Sequence, residues 1–298
     1  MNIYDEISSN KRKSFLLIVV FFAFAIFLGL VLGIVYGNQY FGLALAMIIG
    51  TIYFLFSYYG GANAILTMTK AKEATKPQYT HLINTVEGLA IAAGLPQCPK
   101  IYVIDDSALN AFATGRSPEH AAVTVTTGLL QKMNKLELEG VLAHELSHIK
   151  NYDIRVMMLS AVMVGLTVLL SDFLLRSFLW GSHGKEREHN QLSFVFIIIG
   201  IALAVLSPII GELIKLAISR KREYLADASG ALLTRYPKGL ADALRKIKDD
   251  PDPLVDHANK ATAHLFISTP FRKSKGVMNS LFSTHPPIEE RIKKLDEM

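Results

Sequence analysis

Cysteine is all but missing. Cys98 is the only one in 298 residues, which excludes an intrachain disulfide and a thiolate metal site, and fits a reducing compartment. Flanked by Pro96 and Pro99, it reads as a packing residue. Internal repeats and low-complexity tracts are absent as well. Although the formal net charge is +5, no arginine-rich or aromatic-interleaved patch accompanies it, so nucleic acid is excluded as a partner. Charge is missing from long stretches too. Phe15 to Tyr36 and Phe41 to Tyr59 contain no Asp, Glu, Lys or Arg, and each approaches the ~20 residues with which a helix crosses ~30 Å of hydrocarbon.

What is present is an excess of apolar residues. They make up 51% of the chain, above the usual share of soluble domains, and they gather in four blocks. The third block, Val156 to Trp180, carries Asp172 and Arg176, one turn apart and read as a pair near the membrane face. The fourth, Leu192 to Gly211, is uncharged. Four spans are the economical reading. A signal peptide is the competing reading of the first block, which follows Lys11-Arg12-Lys13, but its apolar part is too long and the second block follows after a short Gly37-Asn38-Gln39 turn. Lys11 to Lys13, then Lys70, Lys72 and Lys76, then Arg220 to Arg222 fall on one side if all four blocks cross, so that side is expected to be cytoplasmic. The net charge then reflects topology and contact with the anionic headgroups of the lipid bilayer.

The expected organisation is an N-terminal transmembrane hairpin over 1–59, a first part of a catalytic domain over 60–155, a second pair of transmembrane or membrane-associated helices over 156–211, and a second catalytic part over 212–298. In the first soluble part, helical spacing predicts a helix over Tyr79 to Ala93, stopped by Gly94-Leu95-Pro96. Short strands are expected at Lys100 to Asp105 and in the β-branched run Ala121 to Thr127, with Asn110 to Gly115 between them. A helix over Lys135 to Asp153 follows. Later helices are expected from Glu212 to about Arg235, around Leu240 to Lys248 and around Ile288 to Glu297, with a loop from Asp249 to Lys275. The fold class is mainly α with a small β-sheet.

The chemistry is concentrated in His144-Glu145-Leu146-Ser147-His148. Histidines at i and i+4 project from one face of a helix, so both imidazoles reach a single Zn²⁺ at about 2.0–2.1 Å. Glu145 is offset around the helix and suits a base acting on the attacking water rather than a ligand. A polar helix face with two solvated histidines has the same spelling. Against it stands the apolar flank of Val141, Leu142, Ala143, Leu146 and Ile149, because buried charge without a partner is costly. A catalytic zinc keeps three protein ligands, and the third is expected from Glu223 in Arg222-Glu223-Tyr224-Leu225-Ala226-Asp227; a surface ion pair with Arg220 or Arg222 is the plainer alternative. Asp227, one turn beyond Glu223, is placed to accept a hydrogen bond from a ligand histidine.

These blocks come in a definite order: the membrane hairpin, Asn110-Ala111-Phe112-Ala113, Leu142 to His148, Asn151-Tyr152-Asp153, two further apolar blocks, Arg222 to Asp227, and Thr284-His285-Pro286-Pro287. Together they closely resemble the HtpX family of bacterial membrane metalloproteases, over nearly the whole chain. The resemblance implies a four-span helical membrane protein carrying a cytoplasmic zincin-like catalytic domain of the gluzincin type. It implies one Zn²⁺ held by His144, His148 and Glu223, with Glu145 as general base. It also implies stress-linked quality control in the cell membrane, with misfolded membrane and cytosolic proteins as polypeptide substrates and functional overlap with other membrane proteases. The chain is more distantly similar to CAAX prenyl endopeptidases, which makes that substrate the runner-up, although it lacks their larger set of spans.

Three further sites follow at this point. His285, held at a rigid turn before the last helix, is the expected donor to the oxyanion, with an ordinary surface histidine as the alternative. Asn110, Ala111 and Phe112 are expected to present an exposed strand edge to an extended substrate. Asp153 is either an outer partner of a ligand histidine or a helix-end charge. A membrane scaffold, transporter or proteolytically idle zinc-binding subunit is the contrasting class. It is disfavoured because the polar constellation lies outside the spans and Glu145 is present.

Overall fold

Two long apolar helices lead the chain. In α1 (Ile3–Val35) and α2 (Gln39–Met68) the runs read from the sequence are helical, joined by a turn in which Gly37 takes φ 66°. Asn38 caps α2 by accepting from the Phe41 amide at 3.1 Å. The two pack side by side, and Ile7–Leu30 and Gln39–Met68 are each long and apolar enough to cross a membrane. Phe15, Ile52 and Phe56 remain largely exposed on their outer faces, the pattern expected where lipid is the solvent. α2 outlasts the apolar block read from the sequence, continuing beyond Tyr59 to Met68. The structure, a computed structural model, describes residues 3–35, 37–160, 220–250, 267 and 286–298. The rest of the third apolar block beyond Ser160, the fourth block, Asp172 and Arg176 lie outside the described residues, as does most of the expected loop from Asp249 to Lys275.

A small mixed sheet follows. β1 (Lys72–Glu73), β2 (Lys100–Ile104), β3 (Ala111–Gly115) and β4 (Ala121–Thr126) stand in the order β1-β2-β4-β3. β2 and β4 are parallel, with Ile101 opposite Val123 and Val103 opposite Val125, while β3 runs antiparallel to β4 with Ala113 opposite Val123. The helix predicted up to Ala93 is α3 (Lys76–Ala93), closed by Gly94 in the left-handed conformation at φ 69°.

Behind the sheet lies α5 (Lys135–Lys150), reached through the short α4 (Thr127–Lys132). Asn134 caps α5 in a reciprocal box: its Oδ1 accepts from the Glu137 amide at 3.0 Å and Glu137 Oε2 accepts from the Asn134 amide at 2.8 Å. From Glu137 to Ile149 nearly every residue is buried, not one stripe of them, because the sheet, α3, α7 (Arg220–Thr234) and α8 (Pro237–Asp249) surround the helix. Two glycines permit that crowding. A Cβ on Gly140 would stand 2.6 Å from the Leu240 amide nitrogen of α8, and one on Gly230 of α7 would stand 3.0 Å from that of His144. α5 does not run to Asp153 as its pattern predicts. It stops at Lys150, Tyr152 adopts φ 62°, and a new helix, α6 (153–160), begins at Asp153. The last helix, α9 (Ile288–Asp296), packs on α7 and α8. A second apolar cluster joins Leu17 of α1 and Ile65 of α2 to Ile104, Phe112 and Met158, fastening the hairpin to the sheet.

Gly140→Ala should therefore destabilise the protein by roughly 1–3 kcal/mol through overpacking against α8, even though alanine is the better helix former by about 1 kcal/mol. Thermal unfolding checks this. A melting temperature equal to or above the parent's would show that α8 moves off α5 at no cost.

Candidate metal centre

The two helices that meet at Gly230 carry the polar heart of the molecule. His144 and His148, one turn apart on α5, turn their Nε2 atoms toward each other at 3.1 Å. Glu223 in the first turn of α7 completes a triangle, with Oε2 3.8 Å from His144 Nε2 and Oε1 3.6 Å from His148 Nε2. Donors held at about 2.0–2.2 Å by a tetrahedral ion stand roughly 3.3–3.5 Å apart, so the triangle fits one ion. The other ring nitrogens are taken by carboxylates. His144 Nδ1 lies 3.0 Å from Asp227 Oδ1, and His148 Nδ1 lies 2.9 Å from Asp153 Oδ2. Each carboxylate draws the proton to Nδ1 and leaves the Nε2 lone pair for the triangle.

Burial makes this arrangement demanding. His144, Glu145, His148, Asp153, Arg222, Glu223, Asp227 and Arg291 are all at most 4% exposed. Four of these are carboxylates and two are guanidiniums, so with neutral rings the described groups carry two negative charges in excess. That is the charge of one divalent cation. Without an ion a proton takes part of its place. Burial alone would depress the His148 pKa, but the hydrogen bond to Asp153 and the charges of Glu223, Asp153 and Glu145 outweigh it and push it up to about 9. Burial likewise works against the Asp227 carboxylate, yet Arg291 and His144 hold its pKa down at about 2. The guanidinium of Arg291 grips Asp227 with both arms, Nε to Oδ2 at 2.9 Å and Nη2 to Oδ1 at 2.7 Å.

Known proteins converge on the same reading. The family model described as peptidase family M48 matches residues 77–298. The chain belongs to peptidase family M48. Membership makes it a metalloprotease. Among relatives in that family, "Protease HtpX homolog" of Dictyoglomus turgidum is 45% identical over 295 residues, spanning 99% of this chain and 94% of that one. The proteins of the same description from Streptococcus uberis and Listeria monocytogenes serotype 4a are 42% and 41% identical, with 99% of this chain and 100% of each relative covered. A crystal structure of S. mikatae Ste24p superposes with a TM-score of 0.52 at 19% identity, over 98% of this chain and 67% of that one, which shows a common fold. The fold likeness and the relatives' alignments both extend over the N-terminal hairpin, ahead of the region matched by the M48 model.

Of the site residues expected from sequence, His144, Glu145, His148, Glu223, Asp227 and Asp153 come together in one buried cluster. Glu223 is only 1% exposed and Arg222 pairs with Asp153 at 3.1 Å, so the plainer reading, a surface ion pair of Glu223 with Arg220 or Arg222, does not describe this chain. His285 lies outside the described residues. Asn110, Ala111 and Phe112 require a correction. β3 does stand at the end of the sheet, but these residues are at most 2% exposed, and the Ile267 amide donates to the Ala111 carbonyl at 2.9 Å. A later part of the chain covers the expected open edge at that point. Arg291 is the residue that motif reading missed. Its signal is nonetheless present: Ile288, Ile292 and Leu295 form the apolar stripe of α9, and Arg291 is the one cation within it.

The raised His148 pKa carries a sign. A group whose folded pKa exceeds its unfolded value of 6.5 contributes stability below that value and loses it as pH climbs through about 9. Chelator-stripped protein should thus melt at progressively lower temperature from pH 6.5 to 9.5. Addition of a divalent ion should remove the dependence by replacing the proton. A pH-independent melt of the stripped protein would contradict the proton-for-ion account.

Proposed function

We propose that the chain is a membrane-anchored zinc endopeptidase, with His144, His148 and Glu223 as ligands and Glu145 as general base. The observation that carries this reading is the pair of Nε2 atoms closing with Glu223 into one ion-sized triangle, inside a cluster short of two positive charges. Two imidazoles and one carboxylate, leaving a position open, form the donor set of a catalytic rather than a structural zinc. When bound, zinc supplies a Lewis acid that polarises the scissile carbonyl and makes a water acidic enough to attack at neutral pH.

The chain's own groups do the rest. Glu145 follows His144 on α5 and is buried in the same cluster, where its charge acts on both His148 and Arg291. It accepts the proton of the attacking water and returns it to the leaving amine, so that the amine departs neutral. Asp227 and Asp153 keep the two rings in the Nδ1–H form. Arg291 holds Asp227 ionised and fixed. His285, which precedes by a few residues the helix that brings Arg291 into the site, is assigned as donor to the oxyanion of the tetrahedral intermediate.

The substrates are read as misfolded membrane and cytosolic proteins, cleaved in quality control. Four spans with the site on the cytoplasmic side remain the proposed topology. In its support, the start of α1 and the start of α7 meet through Asn10 and Arg222, so the basic residues at those two points share one end of the molecule.

Glu145→Gln in detergent-purified protein should retain bound zinc while lowering kcat/KM on casein by about 10²- to 10⁴-fold, the usual loss on removal of a general base. Cleavage at the parent rate by the zinc-loaded variant would remove Glu145 from that role. A parent that neither binds zinc nor cleaves casein would return the idle scaffold to consideration.

A further inference from the structure

Asp153 is reached from three separate parts of the chain. Its Oδ2 faces His148 Nδ1 at 2.9 Å, while its Oδ1 takes Arg222 Nη1 at 3.1 Å and Asn10 Nδ2 at 2.6 Å. Asn10 belongs to α1, at the head of the first candidate span, and is wholly buried. Both ends of its amide are engaged: Nδ2 also donates to the Asn151 carbonyl at 2.9 Å, and Oδ1 accepts from Arg222 Nη1 at 3.1 Å. Turning the amide over would set its oxygen against Asp153 and the Asn151 carbonyl and its NH₂ against a guanidinium. The network therefore fixes its orientation.

The place where Asn10 acts is the turn between α5 and α6. There the chain leaves helical geometry, Tyr152 takes φ 62°, and Asp153 is swung round to face the ring of His148 five residues back. A non-glycine residue at positive φ persists only where its surroundings hold it. Asn10 holds the turn on one side through the Asn151 carbonyl and on the other through the Asp153 carboxylate. Lys11 adds a contact of its own, its Nζ lying 4.8 Å from the centre of the Tyr152 ring.

We propose that Asn10 is a positioning residue of the peptidase site: from the membrane helix α1 it fixes the carboxylate of Asp153, which in turn fixes the tautomer and direction of the His148 ring. The first helix then contributes to the metal centre as well as to anchoring. This rests on the zinc reading of His144, His148 and Glu223. The competing explanation is that Asn10 only fastens α1 to the catalytic part, which would cost stability without altering the centre.

The test uses full-length protein in detergent, comparing the parent, Asn10→Ala, Asp153→Asn, the double variant, and Ser8→Ala as an exposed control on the same helix. Zinc affinity is read by competition with a chromophoric chelator, ring geometry by the visible spectrum of the Co²⁺ form, and folding by the melt of the stripped protein. Asn10→Ala should weaken zinc by about tenfold, the lower end for removal of an outer partner of a ligand. It should also shift the cobalt bands and lower kcat on casein with KM within about twofold. Ser8→Ala should change none of these. In the Asp153→Asn background the Asn10 effect should vanish, as expected for a residue acting through that carboxylate. A lower melting temperature with unchanged affinity and spectrum would overturn the proposal in favour of simple fastening. If Asn10→Ala does not fold, Asn10→Ser, which keeps one donor, should give a smaller loss of affinity, and parent-like affinity there overturns the proposal equally. A parent that binds no zinc would overturn the metalloprotease reading and this inference together, whereas a parent that binds tightly beside an equally tight Asn10→Ala overturns this inference alone.

Discussion

Two imidazole nitrogens 3.1 Å apart, each ring already committed through its other nitrogen to a buried carboxylate, need a positive charge between them. Two lone pairs directed at each other in a dry interior repel, and the carboxylates that fix the tautomers deepen the need by adding negative charge. A divalent ion meets it fully and a proton in part. Much of the fold is arranged to keep this pair in place: a capped and largely buried α5, a sheet beside it, and α7 brought close enough for Glu223 to close the triangle.

The close approach of α5 and α7 has a steric condition at Gly230 and an electrostatic one at the helix ends. Buried ions are expensive unless every one has partners of good geometry. Those partners are drawn from parts of the chain remote from one another: Arg222, Glu223 and Asp227 from α7, Asp153 from the turn after α5, and Arg291 from the final helix. No local segment could assemble the centre alone. A misplaced helix would strand one of these buried charges.

Much of this was legible in the residues. The His144 and His148 spacing reads as two ligands because helical periodicity puts i and i+4 on one face, and the β-branched run Ala121 to Thr127 reads as a strand for an equally local reason. The end of α5 was not legible. Its apolar pattern runs on towards Asp153, whereas a positive φ at Tyr152, held by contacts from outside the segment, breaks the helix at Lys150. The Asn110 to Phe112 edge, open on the sequence pattern, is covered at Ala111 by Ile267, a contact across a separation that no periodicity encodes. Arg291 belongs to no motif, and only the packing of α9 brings its guanidinium onto Asp227 beside His144.

By itself the sequence determined the two N-terminal apolar helices, the strands at Lys100 to Ile104 and Ala121 to Thr126, the helix that carries His144 and His148, and the family, because each depends on short-range periodicity or on an ordered set of short motifs. Tertiary structure alone decided which carboxylate faces which imidazole, that Arg222 turns inward to Asp153, and that Arg291 and Asn10 enter the cluster from opposite ends of the chain. The physical reason is that hydrogen-bond partnership is set by distance and direction in space. Nothing in the local order of residues states which distant side chain will supply the missing charge.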